Sequence, residues 1–237
     1  MRTQTLTLST ADGPMPLFEA LPDGEPRGGV VVIQEAYGVN DYIERVARDL
    51  AEEGYHAVAP HLFHRSQDTI IPYDNMQKAI EMIATLSDDS ELMDVDAALG
   101  HLRDAGFEDH QIGIVGFCMG GRVTFLACAR RAIGAGVGFY GGAIVGGWPP
   151  MFAALDGEAA TLKAPWLGLF GDRDQSIPVE HVELLRDALN AAPVDTEIVR
   201  YPNAGHGFHS EPRPASYVPE AAADAWERAV AWFGKHL

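Results

Sequence analysis

Gln111-Ile112-Gly113-Ile114-Val115-Gly116-Phe117-Cys118-Met119-Gly120-Gly121 is the stretch on which the reading of this chain turns. Gln111–Val115 reads as a buried strand, and a helical pattern follows Gly121. Between them, Gly116-Phe117-Cys118-Met119-Gly120 has the spacing of a nucleophile elbow, with Cys where Ser is commoner. A nucleophile presented on a tight strand-to-helix turn needs neighbours without bulk two positions away on either side, and Gly116 and Gly120 supply them. The turn also sets Cys118 at a helix N-terminus, where partial positive charge favours a negative sulfur. An incidental buried Cys in a glycine-rich turn would not need the strand before it and the helix after it.

Working outward, strands alternate with helices on both sides of the elbow. Thr3–Ser9 alternates polar and apolar residues, Asp12-Gly13 supplies a turn, and Leu17–Ala20 returns, which predicts an antiparallel hairpin. Gly28–Gln34 holds Val30-Val31-Val32-Ile33, a β-branched run suited to a strand buried on both faces. Tyr55–Pro60, Ala135–Tyr140, Trp166–Phe170 and Thr196–Tyr201 read as further strands. Helices are predicted where Ile43, Val46, Ala47 and Leu50 share a face, ended by Gly54. The same period groups Met76, Ile80 and Ile83; Leu92, Val95, Leu99 and Leu102; Val182, Leu185 and Leu189; and Ala222, Trp226, Ala229, Val230 and Phe233. This order predicts an α/β fold with a mostly parallel central sheet flanked by helices, and an antiparallel N-terminal hairpin. In such sheets chemistry sits at the carboxyl ends of the strands.

A nucleophilic thiol needs a base, and the base an orienting acid. The chain order expected with an elbow is nucleophile, acid, histidine. Gly171-Asp172-Arg173-Asp174-Gln175-Ser176-Ile177-Pro178 follows one strand, and Pro202-Asn203-Ala204-Gly205-His206-Gly207-Phe208 follows the next. His206, flanked by glycines, is the candidate base. Asp174 is the favoured acid; Asp172 is the alternative, or else holds the turn through an Asx-type bond. Glu35, directly after the Val-Val-Val-Ile strand, places a carboxylate at the same edge, and the backbone N–H groups of Ala36 and Met119 are the candidate oxyanion hole. Tyr37, Tyr140, Phe208 and Arg122 are candidate pocket residues. His61 and His64, like His206 and His209, are three apart, but no His-Glu-x-x-His or Cys/His cluster accompanies them, so no metal is expected.

Composition narrows the classes. At 237 residues, 47% hydrophobic and 22% charged, the chain is ordinary globular material, long enough for one domain over residues 1–237. Its formal charge of −17 repels phosphate backbones and argues against nucleic acid as a partner. No apolar run reaches the roughly 18 residues a membrane span needs, and the first residues lack a secretory apolar core, so a cytoplasmic location is expected. Two cysteines, Cys118 and Cys128, cannot build a disulfide framework, and Cys128 reads as core.

Together these residues resemble the dienelactone hydrolase family of α/β-hydrolases over nearly the whole chain. The likeness includes Gln34-Glu35-Ala36-Tyr37-Gly38-Val39-Asn40, Ala59-Pro60-His61-Leu62-Phe63, the Cys118 elbow, Gly138-Phe139-Tyr140-Gly141, the acid loop and Ala204-Gly205-His206-Gly207-Phe208. The resemblance implies a Cys118–Asp174–His206 triad and no metal or organic cofactor. It also implies a Glu35 that couples thiol activation to substrate binding. The implied substrate is a small ester or lactone, handled by a monomer or small homo-oligomer. In one respect the sequence departs from the family. Two arginines there hold a substrate carboxylate, whereas here Lys78 is the only Lys or Arg between Arg65 and Arg103, and Ser210 stands four residues after His206. Arg122 and Arg213 are the nearest substitutes, and a broad carboxylesterase acting on small neutral esters is the alternative.

Overall fold

The alternation at the N-terminus produces the hairpin it predicts. In the computed structural model, which describes residues 1–66 and 69–237, β1 (Arg2–Thr10) pairs antiparallel with β2 (Gly13–Leu21). Beyond them come β3 (Gly29–Ile33), α1 (Asp41–Glu52), β4 (His56–Pro60), α2 (Met76–Ile83), α3 (Asp88–Asp104), β5 (Ile112–Phe117) and α4 (Met119–Arg130). The chain continues through β6 (Ala135–Phe139), β7 (Trp166–Gly171), α5 (Val179–Leu189), β8 (Thr196–Tyr201) and α6 (Pro219–His236). Each helix has a local cause. Asn40 caps α1 by accepting from the amides of Tyr42 and Ile43, and Ser87 opens α3 with a capping box.

The strands form one eight-stranded sheet in the order β1-β2-β4-β3-β5-β6-β7-β8. β2 joins β4 antiparallel, and every pairing from β4 across to β8 is parallel. This is the α/β-hydrolase arrangement expected from the sequence. Val30, Val31, Val32 and Ile33 of β3 are fully buried, each burial contributing roughly 1.5–3 kcal/mol. A Cβ on Gly29 would face Leu102 of α3, and one on Gly136 would face Cys128 of α4. A Cβ on Gly113 would instead strike Phe233 of α6, so helices cover both faces. Register brings the carboxyl ends level: Ile33 pairs with Gly116, Phe117 with Phe139, and Gly171 with Tyr201. The loops leaving those ends therefore share one edge.

α2 departs from expectation. It forms where Met76, Ile80 and Ile83 predict it, but its buried residues are Ala79, Met82 and Ile83, while Met76 and Ile80 are exposed. In α6, Trp232 is buried more deeply than the expected Trp226.

Candidate active site

The two elbow glycines are required by contact. A Cβ on Gly116 would lie 2.1 Å from the Gly120 carbonyl oxygen, and one on Gly120 would lie 2.6 Å from the carbonyl oxygens of Ile33 and Gln34. Between them Cys118 sits at φ 56°, ψ −117°, a conformation costing on the order of 1–3 kcal/mol in a residue with a side chain. The turn is held by the Cys118 N–H donating to Phe139 O at 3.0 Å and the Gly121 N–H donating to Cys118 O at 3.0 Å. Cys118 is the N-cap of α4, yet its side chain makes no capping bond, which leaves the partly exposed sulfur to the cleft.

Two further loops meet it. The Arg173 N–H donates to Ala204 O at 2.8 Å, and the Asp172 N–H donates to Tyr201 O at 3.0 Å, tying the acid loop to the histidine loop. His206 Nδ1 lies 2.7 Å from Asp174 Oδ2. The other oxygen, Oδ1, accepts from the Ser176 amide at 2.8 Å, the Ser176 hydroxyl at 2.6 Å and the Ile177 amide at 3.2 Å. Burial opposes ionisation of Asp174, but the bonds from His206 and Ser176 outweigh it and hold the carboxyl below its usual range. Burial likewise opposes charge on His206. The neighbouring Cys118 and Asp174 overcome it and raise the imidazole to about 10. The imidazole is thus bonded to Asp174 through Nδ1 and shares the cleft with the Cys118 sulfur. Asp172 stands apart, bidentate to Arg200 at 2.7 and 2.9 Å.

Glu35 lies buried beside this site. Burial raises its carboxyl, against the opposing influence of Arg213, whose Nη1 is 4.0 Å from Oε1. The Tyr140 hydroxyl donates to the same Oε1 at 3.5 Å. Behind it, the Tyr42 hydroxyl is 3.5 Å from that of Tyr140 and 2.8 Å from His209 Nδ1. Gln34 fixes the strand end, its Oε1 accepting from the Leu62 amide at 3.1 Å.

A cleft of about 430 Å³ opens over Cys118 and His206. Ala36, Met119, Tyr37 and Arg213 line it, and as the first residue of α4, Met119 has an amide with no partner within the helix. Most of the remaining wall is apolar: Met76, Ile80 and Ile83 from α2, and Trp148 and Phe152 opposite. Two sequence expectations are corrected here. Tyr140 and Phe208 are fully buried and stand behind the wall, because each ring packs on the other and on Phe139. Arg122 lines the cleft, but its charge is directed away: Nη1 lies 2.7 Å from Asp88 Oδ1 and 3.6 Å from Glu91, Nη2 donates to Ala153 O at 2.9 Å, and the guanidinium stacks on Phe152. It is therefore not a free anion receptor. Ser176 was missed, although Asp-x-Ser is an Asx-type pattern that could have marked it.

Comparison with known proteins follows this geometry. The family model described as "Dienelactone hydrolase family" matches residues 15–237. A Methylorubrum extorquens protein named "Putative carboxymethylenebutenolidase" is 39% identical over 228 residues, covering 95% of this chain and 78% of that protein. The carboxymethylenebutenolidase of Pseudomonas putida is 28% identical over 96% of this chain and 94% of its own. The crystal structure of a "Putative Dienelactone Hydrolase" from Klebsiella pneumoniae superposes with a TM-score of 0.89 at 36% identity, covering 98% of each chain.

Proposed function

The chain belongs to the dienelactone hydrolase family, and from that premise we propose that it hydrolyses a carboxylic ester or lactone with Cys118 as nucleophile, His206 as base and Asp174 as the orienting acid. The observation that carries the reading is that Cys118, presented on the strained elbow, and His206, bonded to Asp174 at 2.7 Å, line the same open cleft. Asp174 fixes the imidazole through Nδ1, which leaves Nε2 for the sulfur. The thiolate attacks the acyl carbon, and the N–H groups of Ala36 and Met119 receive the developing oxyanion. The imidazolium returns its proton to the leaving oxygen and then draws a proton from water, which releases the acyl group from sulfur. Glu35, buried beside Arg213, helps couple thiol activation to the arrival of substrate. Thiolate is itself a good leaving group, so attack on amides tends to reverse, and activated esters and lactones are the favoured substrates.

Replacing Cys118 with Ala abolishes hydrolysis of an aryl ester while far-UV circular dichroism is unchanged; retained turnover would overturn the assignment. The apolar wall favours a second reading, in which the substrate is a small neutral ester. Arg213 decides between the two. If a substrate carboxylate is bound there, Arg213→Gln raises KM for a carboxylate-bearing lactone roughly tenfold or more, since charged hydrogen bonds are worth about 1.5–3 kcal/mol. On the neutral-ester reading, the wild type prefers uncharged aryl esters, and the substitution does not alter that ranking.

A further inference from the structure

Far from the elbow, three side chains converge on one point. Glu19, in the middle of β2, is buried between Phe18 and Ala20 and pairs in register with Gln4 of β1 and Val58 of β4. His56 Nε2 and His101 Nε2 each lie 2.7 Å from Glu19 Oε1. The other carboxylate oxygen accepts from Gln4 Nε2 at 2.5 Å, which turns Oε1 toward the two rings. Among the described residues, this is the one group of three His, Cys, Asp or Glu side chains placed to hold a metal, its ligand atoms all within 4.8 Å of one another. His56 opens β4 at the amino end of the parallel strands, opposite the edge that carries Cys118, so the cluster has no part in the proposed hydrolysis. Sequence spacing could not reveal it, since the histidines lie 37 and 82 residues from Glu19.

We propose that Glu19, His56 and His101 form a Zn2+ site that clamps the N-terminal hairpin to β4 and α3. A buried carboxylate is costly unless partnered, and without an ion Oε1 can accept from both imidazoles; the same convergence of two Nε2 atoms on one carboxylate oxygen is also the donor set of a metal tripod. Two imidazole nitrogens and one carboxylate oxygen suit Zn2+, whereas Mg2+ and Ca2+ take oxygen ligands. Gln4 supplies the outer contact that orients a ligating carboxylate. His101 is a fifth exposed, which gives the ion an entry and leaves a fourth position for water. Tetrahedral Zn2+ with bonds of about 2.0–2.2 Å sets its ligand atoms roughly 3.3–3.5 Å apart, so binding lengthens each 2.7 Å Nε2···Oε1 separation by about 0.6–0.8 Å. Both imidazoles bind as neutral rings through the Nε2 lone pair. Each keeps its remaining proton on Nδ1, and any proton beyond that passes to solvent.

The test uses the full chain carrying Cys118→Ala, so that the cleft thiol does not compete, stripped with chelator and titrated with ZnCl2 by calorimetry. Expected are one saturable equivalent per chain and, at free Zn2+ near 100 times Kd, a thermal midpoint about 5–10 °C higher. Adding Glu19→Gln or His101→Ala weakens binding at least about 100-fold and removes the thermal shift. In the Cys118 parent, His101→Ala leaves ester turnover unchanged, which shows that the variant folds. Absence of saturable binding by the stripped protein, or a Zn2+ affinity indifferent to both substitutions, would sink the proposal.

Discussion

Two aspartates stand on the loop after β7, and their partners tell them apart. Asp174 meets His206, while Asp172 holds Arg200. Asp174→Asn is therefore expected to lower kcat by about 10²–10⁴, because the imidazole loses the acceptor that fixes its tautomer. Asp172→Asn weakens only a partly exposed ion pair, worth about 1 kcal/mol, and leaves kcat unaltered; steady-state kinetics on one aryl ester separates them. A second expectation concerns the sulfur. Cys118 and Asp174 raise the imidazole, so His206 is favoured in its charged form beside the sulfur. His206→Ala should slow alkylation of Cys118 by iodoacetamide at pH 7 roughly tenfold or more; an unchanged rate would count against the pairing. Where the elbow glycines, Cys118 and His206 stand was legible in sequence, because a strained strand-to-helix turn allows few alternatives and the loops leaving the strand ends share one edge. Tyr140 and Phe208 were not: a motif shows that a residue lies near the site, but not whether its ring faces the cleft or the aromatic packing behind it.

At the scale of an element, α2 shows where periodicity stops informing. A period of 3.6 identifies a helix with one apolar stripe, and Met76, Ile80 and Ile83 do form that stripe. Periodicity cannot say whether the stripe covers the core or a cavity. Here Ile83 belongs to both, and Met76 and Ile80 face the cleft with Trp148, so three large apolar side chains remain exposed around one opening. Such clustering on a folded surface marks a binding wall. Ile80→Asp should therefore raise KM for a hydrophobic aryl ester by roughly tenfold, with kcat and thermal midpoint little changed, because the residue contacts substrate rather than core. A loss of stability with KM unchanged would instead assign Ile80 to packing. The parallel strands, by contrast, were read to within about two residues at each end, whereas β2 begins at Gly13, four residues before the expected Leu17.

Across the whole molecule, buried titratable groups set opposing limits on stability. His209 is lowered to about 4 by burial, with Arg45 adding to it, and His61 is lowered to about 4 by burial and by His64. Both unfold into rings titrating near 6.5, so their contribution is complete above pH 6.5 and is lost as pH falls toward 4. Asp174 and Glu19, held below the usual carboxyl range, extend that acid limb further. Glu91 works in the other direction. Burial raises it to about 8 despite Arg122, and Asp88 and Asp94 add to the rise. The folded state keeps this proton while the unfolded chain releases it near 4.5, so stability falls as pH climbs from 4.5 to 8. Below 6.5 two histidines outweigh one glutamate. Above it Glu91 acts alone among the three, and the net charge of −17 adds self-repulsion. The thermal midpoint, followed in chelator from pH 4 to 9, should therefore peak between about pH 6 and 7. Each unopposed proton contributes a slope of about 1.4 kcal/mol per pH unit. Glu91→Gln should make the alkaline limb shallower, leaving the part due to His206, which is raised to about 10, whereas His209→Asn should flatten only the acid limb. A midpoint that keeps rising to pH 8, or an alkaline limb indifferent to Glu91→Gln, would show that Arg122 holds Glu91 ionised in the core.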